Sequence, residues 1–133
     1  MADGIIVVGA GQAGLQIVDS LRLGGYEGEL SLVGDEQDLP YQRPPLSKQF
    51  LNEGMAEQRL LFRPADYYEK QNIEILTGSK VTELDLTTRT IKMGEETRTY
   101  SKLALATGAS VRKLPIPGAD LPGVYYLRSL DDA

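Results

Sequence analysis

The residues that most constrain this chain lie at its beginning, in "GIIVVGAGQAGLQIVDSLRLGG", positions 4–25. Ile5 to Val8 is a continuous apolar, β-branched run, the composition of a parallel strand covered on both faces. It leads directly into Gly9-Ala10-Gly11-Gln12-Ala13-Gly14, a G-x-G-x-x-G, and then into a stretch with Ile17, Val18 and Leu21 on one helical face. The stretch closes at Gly24-Gly25, where a left-handed cap costs glycine little. Strand, glycine turn and helix in this order open a doubly wound α/β domain. The glycines have separable tasks: Gly9 permits the tight turn, Gly11 lets backbone approach a pyrophosphate, and Gly14 lets the helix pack closely on the strand. The helix N-terminus then presents N–H groups and a partial positive charge to phosphates.

Three glycines in six residues also occur in ordinary loops, so the context decides. A second strand is expected at Leu30 to Val33, and Asp35 and Glu36 follow it. They stand about twenty residues past the glycines, where a carboxylate accepts hydrogen bonds from a ribose. Asp35 is the first choice for that role and Glu36 the second. The fingerprint predicts a dinucleotide site without separating NAD from FAD.

Composition narrows the chemistry. The chain of 133 residues fits one domain, and its net charge of −5, with no basic stripe, argues against a nucleic-acid partner. With no cysteine and no histidine, disulfides, thiolate nucleophiles, Cys/His zinc sites and imidazole acid–base chemistry are excluded within these residues, and no metal site is expected. No apolar run approaches the ~18 residues of a membrane helix. The start has no signal-peptide shape, so the default compartment is the cytoplasm and no membrane partner is expected.

Further along, Leu46 to Asn52 reads as a short helix closed by Gly54, and Pro64 to Gln71 as a helix with proline at its first position. Asn72 to Leu76 reads as a third strand. The rhythm then turns to alternation in "KVTELDL" and "RTIKM", with turn signals at "TT" and "GEE". This predicts an antiparallel meander running into a further buried strand, Leu103 to Ala106, stopped by Thr107-Gly108. "LPIPGADLPG" is a proline-glycine loop, and Val124 to Leu127 reads as a last strand. Ser129 and Asp132 in "RSLDDA" resemble a capping box, the start of a helix, which suggests a fragment of a longer protein. The expected fold class is therefore α/β, a Rossmann-like FAD/NAD(P)-binding domain whose parallel sheet carries an antiparallel β-meander insertion.

Four landmarks stand in order: "VVGAGQAG", "LVGDE", "PYQRPPLSK" and "LALATGA". Together they resemble the FAD-dependent ferredoxin reductases that serve bacterial oxygenases, and "YQRPPLSK" is the most specific of them because it is not a generic Rossmann feature. The resemblance covers essentially the whole chain without a departure. It implies FAD as cofactor and NADH as co-substrate. It also implies electrons passing to a 2Fe–2S ferredoxin that supplies an oxygenase such as a P-450-type cytochrome. It implies that residues 1–133 are the N-terminal part of the FAD-binding domain. The NAD domain, the returning FAD segment and the C-terminal domain would lie elsewhere, so the isolated chain would be inactive and hold FAD weakly. Flavin disulfide reductases carry redox cysteines in the loop after the second strand, where this chain has "PYQRPPLSKQF".

By the same resemblance, Gly9, Gly11, Ala13 and Gly14 hold the FAD pyrophosphate, and Asp35 binds the adenosine ribose. Arg43 and Pro44 line the cofactor channel. Lys48, the candidate catalytic residue, sits beside the isoalloxazine. Val81 meets the adenine end through its backbone. Ala106, Thr107 and Gly108 pass close to the cofactor, and Arg128 reaches the flavin-phosphate region. Tyr41, Tyr67 and Tyr68 are read as packing residues. The alternative is a stand-alone, non-catalytic dinucleotide-binding module or scaffold.

Overall fold

The computed structural model describes residues 4–133. They form two units, one of residues up to Tyr41 together with Phe62–Gly108, the other of Gln42–Leu61 and Ala109–Ala133. Among them no helix is long and apolar enough to cross a membrane.

The first unit is built on a parallel sheet. Its strands are β1 (Ile5–Val8), β2 (Leu30–Val33), β3 (Glu74–Leu76) and β7 (Lys102–Leu105), in the order β3-β2-β1-β7. Ile5 stands opposite Leu30 on one side and Lys102 on the other. Helix α1 (Gln12–Leu23) follows β1, and α3 (Ala65–Lys70) precedes β3. Between β3 and β7 the chain makes an antiparallel sheet of β4 (Val81–Asp85), β5 (Thr90–Met93) and β6 (Glu96–Thr99).

The layers explain why β1 reads as an unbroken apolar run and why β2 is apolar except at Ser31. Val7, Leu30 and Leu32 pack with Leu15 and Val18 of α1, Tyr68 of α3 and Ile73. Ile6, Val8 and Val33 turn to the other face and pack with Ile91 and Met93 of the meander and with Tyr100. Successive residues of a strand face opposite ways, so a strand between two layers is apolar on both faces unless a polar residue is paired, as Ser31 is with Glu74. Ile17 and Leu21 join the first cluster as expected. Asp19 is also buried in α1; its carboxylate accepts from Arg63 at 2.9 Å and from the Tyr67 hydroxyl at 2.7 Å. Tyr67 is thus a hydrogen-bonding residue as well as a packing one, which the reading of its ring alone did not anticipate.

Several expected boundaries move. The left-handed glycine after α1 is Gly25 (φ 84°), whereas Gly24 is not left-handed. Pro64 is the N-cap of α3 with extended backbone, so the proline precedes the helix instead of opening it. The third strand starts at Glu74 because Asn72 takes up a left-handed turn (φ 56°), a conformation asparagine tolerates. The strand expected at Leu103–Ala106 is β7, one residue earlier, and it is not buried: Leu105 is 62% exposed. Its physical reason is position, for β7 is the last strand of the sheet and pairs only with β1 among the described residues.

The second unit contains short elements: a 3-10 turn at Pro44–Ser47, α2 (Gln49–Glu53) and a further 3-10 turn at Glu57–Arg59. The expected helix over Leu46–Asn52 is therefore two pieces broken at Lys48, and Gly54 closes the second in the left-handed region (φ 65°). Residues 109–133 contain no helix or strand. Val124–Leu127 stays irregular because no other strand lies in this unit to pair with it. Ser129 and Asp132 form only a turn: the Asp132 carboxylate accepts from the N–H groups of Arg128 and Ser129 at 2.9 and 2.8 Å.

Candidate functional site

The turn between β1 and α1 separates the three glycines by what their backbone meets. At Gly9, with φ 114°, a side chain would run into the Ala106 carbonyl, and at Gly14 into the Gly9 carbonyl. Both positions are closed by the fold itself. Gly11 differs. Its backbone is extended, open to any residue, and a methyl group built there would meet nothing within 4 Å. The fold does not require glycine at Gly11; the space beside it is free. No side chain caps α1, and its first turn carries no acidic residue. The exposed N–H groups around Gln12 and Ala13 therefore face outward with the positive end of the helix dipole. A free cradle at a helix start fits a diphosphate.

The neighbouring cavity, about 200 Å3, is lined by Val8, Gly9, Val33, Asp35, Ser79, Lys80, Val81 and Thr107. It lies at the carboxyl ends of β1 and β2, where open α/β sheets bind their ligands. Backbone bonds assemble it. Gly34 N–H donates to Leu76, Ser79 N–H to Gly34 and Gly78 N–H to Glu36, at 2.8, 2.7 and 2.7 Å. They tie the loop after β2 to the crossover that enters β4. On the far side Ala106 N–H donates to the Val8 carbonyl at 2.7 Å, which carries Ala106, Thr107 and Gly108 past Gly9.

A larger groove of about 780 Å3 opens at the other end of the strands, around Gly4, Arg22, Glu29 and Arg98. Its cations are already engaged: Arg22 donates to the carbonyls of Tyr26, Gly28, Gln71 and Asn72, and Arg98 pairs with Glu74 and Glu96. Size alone would favour it; chemistry and strand polarity favour the smaller cavity.

The structure also separates the two acids that follow β2. Asp35 is exposed, lines the cavity and has no side-chain partner among the described residues. Glu36 is half-buried and accepts a hydrogen bond from the Tyr41 hydroxyl at 2.5 Å. Tyr41 is therefore more than a packing residue. Ser79 and Lys80 are cavity residues that sequence reasoning missed, although their place directly before Val81 was a usable signal.

Of the candidate residues, Gly9, Asp35, Val81 and Thr107 meet around one cavity, with Gly11, Ala13 and Gly14 in the adjoining turn and helix start. Arg43, Pro44, Lys48 and Arg128 belong to the second unit. There Arg43 flanks the 3-10 turn that Pro44 opens and donates to the Arg128 carbonyl at 2.8 Å. Lys48 is exposed, its Nζ 3.3 Å from the Pro44 carbonyl. No cluster of metal-ligating side chains occurs among the described residues.

A G-x-G-x-x-G turn at the carboxyl edge of a parallel sheet, with a free carboxylate after the second strand, defines a Rossmann-like dinucleotide-binding domain. The chain belongs to the pyridine nucleotide-disulphide oxidoreductase family, whose model matches residues 3–133. It is 44% identical over 130 residues to the rhodocoxin reductase of Rhodococcus erythropolis, covering 97% of this chain and 30% of that protein. It is likewise 44% identical to the ferredoxin–NAD(+) reductase subunit of a benzene 1,2-dioxygenase system from Pseudomonas putida, covering 99% of this chain and 32% of that protein. Among solved structures, a ferredoxin reductase from Rhodopseudomonas palustris superposes with a TM-score of 0.92 at 42% identity, covering 98% of this chain and 32% of that chain. The reductase in a covalent putidaredoxin reductase–putidaredoxin complex gives 0.86 at 36%, covering 99% and 33%. The chain thus spans about a third of the length of the curated relatives it matches.

Proposed function

We propose that these residues are the N-terminal part of the FAD-binding domain of a cytoplasmic, NADH-dependent reductase that delivers electrons to a 2Fe–2S ferredoxin serving an oxygenase. The observation that carries the reading is the open space at Gly11, a cradle that the fold does not need and that a diphosphate would fill. The names of the relatives, reductases of rhodocoxin and of dioxygenase ferredoxins, supply the partner class.

The residues divide the work. Gly9 and Gly14 shape the turn, and the N–H groups around Gly11 and Ala13 receive the diphosphate. Asp35 accepts from ribose hydroxyls, with Glu36 engaged elsewhere. Val81 offers its backbone to the adenine end, and Ala106, Thr107 and Gly108 flank the cofactor. The likeness to ferredoxin reductases assigns Arg43, Pro44 and Arg128 to the cofactor channel. Lys48 brings an exposed ammonium, a group that stabilises negative charge developing on a reduced ring. Bound FAD supplies the conversion between a hydride donor and a one-electron acceptor. With no cysteine present, nothing in these residues offers the electrons a disulfide.

The test is the full-length protein purified and assayed for NADH-dependent reduction of a 2Fe–2S ferredoxin. A flavin spectrum and ferredoxin reduction are expected. Purified protein without flavin overturns the proposal, and equal, tight affinity for NAD and FAD would favour the non-catalytic module instead.

A further inference from the structure

Two acids in succession, Asp35 and Glu36, stand near the start of the loop after β2, and only one faces the cavity. The second is bound 2.5 Å from the hydroxyl of Tyr41, a residue only 6% exposed, and its own backbone carbonyl accepts from Gly78. Glu36 is thereby held from both sides, by a buried ring and by the crossover into β4. Asp35 is exposed, and its backbone neighbours on each side, Gly34 and Glu36, are the two residues tied to Ser79 and Gly78. A free carboxylate on a loop pays an entropic cost each time it is ordered against a ligand. Anchoring the adjacent residue removes part of that cost before the ligand arrives.

We infer that the Glu36–Tyr41 hydrogen bond is a positioning device that holds the Asp35 carboxylate in place for the ribose of the dinucleotide, so that Glu36 and Tyr41 determine affinity at the adenosine end without touching it. The inference rests on the FAD-site reading above. A hydrogen bond between an ionised acceptor and a buried hydroxyl is among the stronger ones, and a neutral amide at Glu36 can still accept it. Tyr41 is also the first residue of "YQRPPLSK". The same ring therefore anchors the acid loop and begins the segment that carries Arg43 and Lys48.

The experiment is FAD titration of the full-length apoprotein in the variants Asp35→Ala, Tyr41→Phe, Glu36→Ala and Glu36→Gln, and in the double variant Asp35→Ala/Tyr41→Phe. Thermal melts of each apoprotein confirm folding. Tyr41→Phe keeps the buried ring, so it reports the hydroxyl alone. Asp35→Ala is expected to weaken FAD at least about tenfold, and Tyr41→Phe and Glu36→Ala about three- to tenfold, the worth of a net hydrogen bond. Glu36→Gln should recover most of the Glu36→Ala loss. The double variant should bind no more weakly than Asp35→Ala, because a positioning residue has nothing left to position. Additive losses in the double variant overturn the inference, as does unchanged affinity in Tyr41→Phe. An Asp35→Ala variant with unchanged FAD affinity instead overturns the FAD-site reading on which it rests.

Discussion

Alanine at Gly14 and alanine at Gly11 are expected to do opposite things. At Gly14 the new methyl collides with the Gly9 carbonyl inside the α1–β1 contact, so Gly14→Ala should destabilise the apoprotein by roughly 3 kcal/mol or more, the scale of overpacking a closed site. At Gly11 the methyl enters open space and the backbone is already extended. Gly11→Ala should therefore leave the denaturant midpoint of the apoprotein within about 0.5 kcal/mol of the parent while weakening FAD at least about tenfold. Equilibrium unfolding and FAD titration of the two variants separate a glycine kept for packing from one kept for a ligand. If Gly11→Ala binds FAD normally, the cradle is not where the diphosphate sits.

Between elements, one charged cluster joins the two sheets of the first unit. Glu74, on β3, accepts from Ser31 of β2 at 2.8 Å and pairs with Arg98 of β6. The Arg98 bond, more than any other contact, holds the Glu74 carboxyl below its ordinary value of 4.5. A carboxyl lower in the folded than in the unfolded chain binds fewer protons when folded. Its contribution to stability is therefore complete above about pH 4.5 and is lost as the pH falls through the depressed folded value. Glu74 is about half exposed, so solvent screening keeps the effect modest. Unfolding of Glu74→Gln followed from pH 7 to pH 3 should show a shallower acid decline than the parent and little difference at the acid end. Parallel curves would show that the cluster contributes nothing pH-dependent.

The elements also show what the sequence could reveal. Ile5–Val8 was legible because burial on both faces leaves an unbroken apolar run, and Leu30–Val33 because only Ser31 interrupts one. The meander was legible through alternation and its turn residues. Boundaries shifted where one residue took an unusual backbone, as at Asn72, or where a proline served as a cap, as at Pro64. Val124–Leu127 looked like a strand because composition reports propensity, whereas a strand needs a neighbour. The position of Gly9 and Asp35 beside one cavity was legible by spacing. The Glu36–Tyr41 and Asp19–Tyr67 bonds were not, since polar side chains that meet across loops follow no period.

For the whole molecule, exposure is the informative quantity. Leu105 on β7 is 62% exposed, and in the second unit Leu114, Ile116 and Tyr125 are 56%, 58% and 88% exposed. Among the described residues β7 also presents an open sheet edge, the kind of surface that pairs with other chains when nothing covers it. Residues 1–133 produced alone are expected to self-associate in sedimentation velocity and to bind FAD at least about tenfold more weakly than the full-length protein. A monodisperse monomer that stays yellow through gel filtration would contradict this.

The meander set between β3 and β7 has a consequence for the order in which the molecule is made. Hairpins β4–β5 and β5–β6 join neighbours along the chain and close small loops. The pairing of β1 with β7 sets Ile5 opposite Lys102, and beside it Ser101 bonds to Gly4, 97 positions away along the chain. Local pairings close quickly and distant ones slowly, because the chain between them must first give up its freedom. The wall that Ala106 places against Gly9 is thus among the last parts of the first unit to form during synthesis. The glycine turn is made well before Ala106, so one of its walls is missing until β7 has followed it.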